Sequence, residues 1–258
     1  MSDSLSVTPV PAFADNYLWL IHDSHHAWIV DPGEAQPVIE MLSKLQLVLV
    51  GVLLTHHHGD HVGGLPILRD RFPHLVIYGP QGPLIPGITN PVKEGDGISL
   101  APLNMTLTVL EVPGHTLDHV AYYGQGRLFC GDTLFAAGCG RVFEGTPEQM
   151  HHSLDKLAAL PPSTSIYCAH EYTLKNLEFA CMVDPDNDVL QRWHAEAQSQ
   201  RTQHLPTLPS ILGRELQGNP FLRVREPALH AALERRWGPM AADPVTIFTA
   251  LRQWKNQF

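Results

Sequence analysis

The apolar run Leu47-Val48-Leu49-Val50-Gly51-Val52-Leu53-Leu54 ends abruptly in Thr55-His56-His57-His58-Gly59-Asp60-His61-Val62-Gly63-Gly64. The run is too short to cross a bilayer and is rich in β-branched residues, so it reads as a buried strand. In an extended segment residues two apart share a face, which directs His56, His58 and Asp60 into one space. Gly59 and the Gly63-Gly64 pair then let the backbone turn and bring His61 to the same place. A helical reading would pair His57 with His61, as in zinc sites of the His-Glu-x-x-His type. The glutamate of that motif is missing, however, and Gly59 sits mid-turn. A solvated loop does not need a hydrophobic strand to deliver it, and so many ionisable groups are costly to gather without a cation. The stretch is therefore read as a metal site.

The whole chain limits what surrounds that site. With 258 residues, 44% of them hydrophobic, it can bury one substantial core with room for a smaller second domain. The formal net charge of -9 argues against nucleic acid as a partner. No stretch of about eighteen uninterrupted apolar residues offers a membrane span. Met1-Ser2-Asp3-Ser4-Leu5 lacks the basic and then apolar pattern of a secretory signal. Cys130, Cys139, Cys168 and Cys181 form no Cys-x-x-Cys pair and read as reduced, packed residues. A cytoplasmic protein without a membrane partner is the expectation.

Strand-like pieces at Leu5 to Val10, Tyr17 to His22 and Ala27 to Val30 precede a helix opened by Pro37. A helix through Leu65 to Phe72 and a strand at Leu75 to Tyr78 follow the histidine cluster, and Gly79 to Gly97 reads as a long loop. Three further strand-like runs each end in a metal-competent side chain: Thr106 to Val112 leads to His115, Arg127 to Cys130 to Asp132, and Ser165 to Cys168 to His170. In layered α/β folds such strand ends are where sites form. Thr146-Pro147-Glu148-Gln149 opens a helix with a cap, a first-turn proline and a capping-box glutamine. From about Tyr172 onward helical spacing takes over, with Asp243-Pro244 starting the last helix. The expected organisation is a layered α/β catalytic domain over residues 1–171 and a helical domain over 172–258.

The ligand inventory is His56, His58, Asp60, His61, His115, Asp132 and His170, with no thiolate, which suits zinc first and then iron or manganese. Seven ligands exceed the need of one ion. Two divalent ions about 3.5–4 Å apart, sharing a carboxylate and a hydroxide, use them all. Metal-assisted hydrolysis is the chemistry inferred, with Asp60 and Asp132 serving catalysis as well as ligation.

This pattern, His-x-His-x-Asp-His with downstream His115, Asp132 and His170, resembles the metallo-β-lactamase superfamily. More narrowly, the chain is similar to the hydroxyacylglutathione hydrolase (glyoxalase II) family. The similarity is carried by Gly131-Asp132-Thr133-Leu134-Phe135, Gly138-Cys139-Gly140-Arg141, His170-Glu171-Tyr172-Thr173, Asn219-Pro220-Phe221-Leu222-Arg223 and the tail Arg252-Gln253-Trp254-Lys255-Asn256-Gln257-Phe258. The resemblance implies a four-layer αββα sandwich with a C-terminal helical domain. It implies one ion on His56, His58 and His115, a second on Asp60, His61 and His170, and Asp132 bridging. The implied reaction is hydrolysis of the thioester S-D-lactoylglutathione to D-lactate and glutathione by a hydroxide bridging the metals, in a monomer. Arg141, Tyr172, Arg252 and Lys255 match glutathione-contacting positions. Phe143 stands where some relatives carry tyrosine, and Asp118 where glycine is frequent.

From spacing alone, Arg252 and Lys255 lie three apart on one helix face, which serves a helix C-terminus as well as it serves a dicarboxylate substrate. Tyr172 stands two residues after His170, a position expected to border the metals. The rival reading is an iron-dependent persulfide dioxygenase or another oxidoreductase on the same fold; the former needs only His56, His115 and Asp132 and leaves four ligands idle.

Overall fold

The computed structural model describes residues 5–258; the Met1–Ser4 stretch weighed above as a possible leader lies outside them. Two compact units make up the chain: residues up to Glu111 with Asp118–Gly131, and Val112–Leu117 with Asp132–Phe258.

The first unit contains β1 (Ser6–Ala12), β2 (Asn16–His22), β3 (His26–Val30), α1 (Ala35–Leu45), β4 (Val48–Leu53), α2 (Gly59–Val62) and α3 (Leu65–Arg71). It continues through β5 (Val76–Pro80), β6 (Asn90–Val92), β7 (Gly97–Leu100), β8 (Met105–Glu111), β9 (Val120–Gly124) and β10 (Arg127–Gly131). Strands β1 to β6 form one sheet in chain order; β1, β2 and β3 are antiparallel neighbours and β3 to β6 run parallel. Strands β7 to β10 form a second, antiparallel meander. Parallel strands need crossovers, and α1 and α3 supply them, burying Ala35, Val38, Leu42, Leu65 and Leu68 against Leu18, Leu20, Ile29 and Val52. Along β8, Met105, Leu107 and Val109 point inward and the residues between them outward, the alternation of a strand with one wet face.

Two bonds from aromatic side chains to backbone carbonyls tie the segments of the two sheets together, the second of them buried just past the end of β4. The Trp28 indole donates to the Ala101 carbonyl at 3.1 Å, and Tyr122 Oη donates to the Leu54 carbonyl at 2.7 Å. Gly51 lies opposite Trp28, where a Cβ would stand 2.3 Å from the ring, so this mid-strand glycine is required for packing.

The second unit contains β11 (Leu134–Phe135), β12 (Gly138–Cys139), α4 (Pro147–Ala158), β13 (Ser165–Cys168), α5 (Thr173–Val183), α6 (Asp188–Thr202), β14 (Ser210–Ile211), α7 (Leu212–Gly218), α8 (Pro227–Trp237) and α9 (Pro244–Gln257). Helix α4 starts with the full capping box: Gln149 N donates to Thr146 Oγ1, and Thr146 N donates to Gln149 Oε1. Asp243 caps α9 by accepting from Thr246 N. Phe179, Phe221, Phe248 and Trp254 interlock edge to face and stacked among the C-terminal helices, the geometry aromatic rings favour.

The structure corrects several expectations. Gly79 to Gly97 is not a plain loop: β6 adds in parallel to β5 at the sheet edge, where Pro91 is tolerated. Strands β7, β9, β11, β12 and β14 and helix α7 were not expected; all but β9 and α7 are four residues or fewer, too short for periodicity to register. Asp60 does not continue an extended segment with His56 and His58. It lies in the helical turn α2, which also carries His61.

Candidate metal centre

In the first unit the site begins where β4 ends. Val120 N donates to the Thr55 carbonyl at 2.8 Å, which fixes the backbone entering the histidine cluster. Parallel β3 runs alongside, and Asp31 follows it with φ 49, a left-handed conformation that aspartate tolerates. Asp31 Oδ1 accepts from Thr55 N at 2.7 Å, and Oδ2 accepts from Thr55 Oγ1 at 2.7 Å and from His61 Nδ1 at 3.0 Å. Because the one Thr55 hydroxyl proton goes to Asp31, the oxygen accepts from His56 Nδ1, 3.0 Å away. Both His56 and His61 thereby carry the proton on Nδ1 and present a lone pair at Nε2, the tautomer a metal needs.

The donor atoms of His56 and His58, of His56 and His61, and of Asp60 and His61 lie within 4.8 Å of one another. His56 and His61 are wholly buried. Asp60 Oδ2 stands 3.5 Å from His61 Nε2 and accepts from Asn16 Nδ2 at 3.1 Å. Two lone-pair-bearing atoms facing each other at that distance repel unless a cation sits with them. His119, fully buried, stacks on His56 with ring centroids 4.5 Å apart and holds that ring's face. The close approach of α2 is permitted by Gly63 and Gly64, where a Cβ would meet the Gly33 and Pro32 carbonyl oxygens at 2.8 and 2.5 Å. Gly59 has open space around its Cα, so the turn does not depend on it as expected.

In the second unit His115, Asp132 and His170 converge. Asp132 Oδ2 lies 3.3 Å from His115 Nε2, and Oδ1 lies 3.3 Å from His170 Nε2. One carboxylate thus offers a separate oxygen to each imidazole, the arrangement of a bridging ligand. His115 Nδ1 donates to the Arg141 carbonyl at 2.8 Å, which again leaves the lone pair on Nε2, facing a carboxylate oxygen. The donor set in both units fits divalent cations on that ground.

The five residues expected to meet substrate all fall in the second unit. Tyr172 is half-exposed and stacks flat on His170, centroids 4.7 Å apart and planes 4° apart. Phe135 stands edge-on to both rings. Phe143 is 62% exposed and packs edge-on against His115. Arg141 is exposed. Lys255 is half-buried between the Phe179 and Phe258 rings, and its Nζ donates to the Lys175 carbonyl at 2.8 Å. Burial, then the adjacent Arg252 charge, brings its ammonium down to about 8. Arg252 is only 7% exposed and donates from Nη1 to the Cys139 carbonyl at 2.8 Å. The Cys139 thiol is pushed up by burial, against the pull of Arg252.

Several supporting residues escaped the sequence reading. Asp31 stood in an Asp-Pro-Gly turn signal, and Asn16 preceded a strand; nothing local tied either to the histidines. His57 and Asp118, neither given a role from the sequence, pair at 3.0 Å. Glu171 accepts from Thr207 N and Oγ1. Glu215, fully buried, accepts from Ala137 N, Ser210 Oγ and Asn219 Nδ2. Its carboxyl is raised to about 7 because burial outweighs those three donors.

A family model described as the metallo-beta-lactamase superfamily matches residues 14–170, and one described as the hydroxyacylglutathione hydrolase C-terminus matches residues 171–258. A Nitrosomonas europaea protein named hydroxyacylglutathione hydrolase is 49% identical over 254 residues, covering 98% of this chain and 97% of its own. The chain belongs to the hydroxyacylglutathione hydrolase family of the metallo-β-lactamase superfamily. A second hydroxyacylglutathione hydrolase, from Cupriavidus taiwanensis, is 51% identical over 265 residues, 98% of this chain and 99% of that one. Among solved structures, ETHE1 from Myxococcus xanthus shares the family's fold at TM-score 0.65 and 23% identity, over 96% of this chain and 99% of its own. The α/β sandwich with a C-terminal helical region expected from sequence is the fold of this family. No helix among the described residues is long and apolar enough to cross a membrane.

Proposed function

We propose that the chain is a thioester hydrolase that cleaves S-D-lactoylglutathione to D-lactate and glutathione. The observation that carries this reading is near-50% identity, end to end, to hydroxyacylglutathione hydrolases, coupled with Asp132 offering one oxygen to each of two histidines. His56, His58 and His115 would hold one divalent ion, Asp60, His61 and His170 another, and Asp132 both. Two such ions supply a hydroxide at neutral pH and positive charge where a carbonyl oxygen turns anionic. Zinc is the ion proposed, since the set is imidazole and carboxylate without thiolate.

The chain's own residues do the rest. Asp31 and the Arg141 carbonyl keep His61 and His115 in the tautomer that presents Nε2. Tyr172 and Phe143, stacked on and beside ligand imidazoles, give an apolar border to the acyl group. Arg141 and Lys255 offer cations to the carboxylates of glutathione. The departing thiol, with a pKa of roughly 8.5, leaves as thiolate without a dedicated acid. The four free cysteines support a reducing, cytoplasmic setting. We place the catalytic domain at residues 1–171 and the substrate-binding helical domain at 172–258, and take the monomer as the working unit.

Loss of thioester absorbance on adding S-lactoylglutathione, run beside oxygen uptake with glutathione persulfide, tests the reading. Hydrolysis without oxygen uptake is expected; oxygen uptake with an intact thioester would favour the oxidoreductase alternative.

A further inference from the structure

Glu215, on α7, is a fully buried carboxyl that the hydrolysis described above does not use. Enclosing such a group is costly unless hydrogen-bond donors meet it, and here both oxygens are met. Oε1 accepts from Ser210 Oγ, while Oε2 accepts from Ala137 N at 2.9 Å and from Asn219 Nδ2 at 3.0 Å. Two of these donors lie on segments that carry metal-competent groups. Ser210 is on β14, in register with Ile166 of β13, and β13 ends at Cys168, two residues before His170. Ala137 lies in the turn of the β11–β12 hairpin, which starts two residues after Asp132. Glu215 therefore ties the strand that leads to one ligand to the hairpin that follows another.

The hairpin needs that tie. Its strands are two residues each and pair only with each other, so no larger sheet holds them. Ala137 has φ 53, a left-handed conformation that alanine does not favour, and its amide is the one bonded to Glu215. Asn219, also bonded to Glu215, donates to the Phe135 and Gly138 carbonyls, and Asn176 donates to the Ala136 carbonyl. What the turn presents to the site is Phe135. Its ring stands edge-on to His170 at 5.8 Å and to Tyr172 at 5.4 Å, while Tyr172 lies flat on His170 at 4.7 Å. Edge-to-face contacts of this kind favour one ring orientation as well as burying area.

We propose that Glu215 is a positioning residue: it seats the β11–β12 turn so that Phe135 holds the Tyr172 ring flat on His170. Its consequence for turnover rests on the hydrolase reading given above, in which Tyr172 borders the substrate. Without the tie the Tyr172 ring tilts and the substrate is held less well. The turn requires acceptor geometry, not charge. A glutamine can still accept from Ala137 N and Asn219 through its oxygen and donate to Ser210 Oγ through its amide.

The test uses the full chain labelled with 3-fluorotyrosine, the Tyr172 signal being assigned by its loss in Tyr172→Phe, together with kcat and KM for S-lactoylglutathione. In Glu215→Ala the Tyr172 fluorine signal is expected to move and kcat/KM to fall roughly tenfold, mainly through KM. Glu215→Gln should return both most of the way to wild type. In a Phe135→Leu background the same Glu215→Ala change should cost no more than about twofold, because the link it acts through is already gone. Ser210→Ala, which removes one donor and leaves the carboxyl seated by the others, should move signal and kcat/KM in the same direction by less. An unmoved Tyr172 signal in folded Glu215→Ala would overturn the proposal, as would a full tenfold loss repeated in the Phe135→Leu background. If Glu215→Ala does not fold, wild-type signal and kinetics in Ser210→Ala would overturn it equally. A wild-type chain that leaves the thioester intact would overturn the hydrolase reading and the kinetic consequence drawn from it, whereas the fluorine signal tests the link from Glu215 to Tyr172 independently of turnover.

Discussion

Asp31 and His61 meet at 3.0 Å, carboxylate Oδ2 to imidazole Nδ1, with Thr55 donating to both Asp31 oxygens from backbone and hydroxyl. One buried carboxylate therefore orients His61 directly and His56 through the Thr55 hydroxyl. In Asp31→Asn the amide cannot accept at both oxygens, so one of these rings loses its partner or flips tautomer. Metal affinity measured by chelator competition should fall roughly 10–100-fold. Unchanged affinity would mean that the orienting bond is dispensable.

Lys255 gives a pH signature. Its ammonium, brought down to about 8 by burial and by the charges of Arg252 and Lys175, is lost in a range where lysines ordinarily stay charged. If it meets a substrate carboxylate, KM is level below pH 8 and climbs above it, whereas Lys255→Met shows a high KM with no rise through that range. On stability the sign differs. The unfolded chain holds this proton more tightly between about 8 and 10.5, so folding stability gains with rising pH across that window. A KM in Lys255→Met that matches wild type below pH 8 would remove Lys255 from the binding site.

Glu215 should act in the reverse sense. Burial raises its carboxyl from 4.5 to about 7, so the folded chain holds the proton where the unfolded chain has released it. The stability it contributes is fully present below about 4.5 and is lost as pH rises through 7. Thermal unfolding of wild type against Glu215→Gln, compared at pH 5 and pH 8, should show wild type relatively more stable at the lower value. The opposite trend would mean that its three donors keep the carboxylate charged throughout.

Gly140→Ala places a Cβ 1.9 Å from the Asp132 carbonyl oxygen, a backbone atom that cannot swing aside. Overpacking of this kind costs about 1–3 kcal/mol, and here the displaced segment carries Asp132 itself. Both a lowered unfolding temperature and lost thioester cleavage are expected. Wild-type kinetics in that variant would show the hairpin to be looser than drawn.

Much of this could be read from the letters because the strongest signals were local. The strand feeding Thr55 to Gly64 was a continuous apolar run, and Thr146 to Gln149 spelled out its own capping box. His115, Asp132 and His170 were flagged by the strand-like runs before them, each of which forms a strand. The supporting residues were not legible, since their meaning is tertiary. Asp31 lies 24 positions from Thr55 and Asn16 lies 44 from Asp60, and nothing in a turn signal says which side chain it will meet. Arg252 illustrates the same limit. Helical spacing placed it beside Lys255, but could not say that one guanidinium would be sealed against Phe221 while its neighbour three residues on keeps partial access to solvent. Asp60 was misplaced because two-residue alternation was carried one step too far, into a turn that had already become helical.

The most direct measurement is thioester cleavage followed while zinc is returned stepwise to the fully demetallated chain. The account predicts no hydrolysis of S-lactoylglutathione by the metal-free protein and recovery that is complete only when about two zinc ions per chain have bound. Turnover at the full rate by the metal-free chain would contradict it.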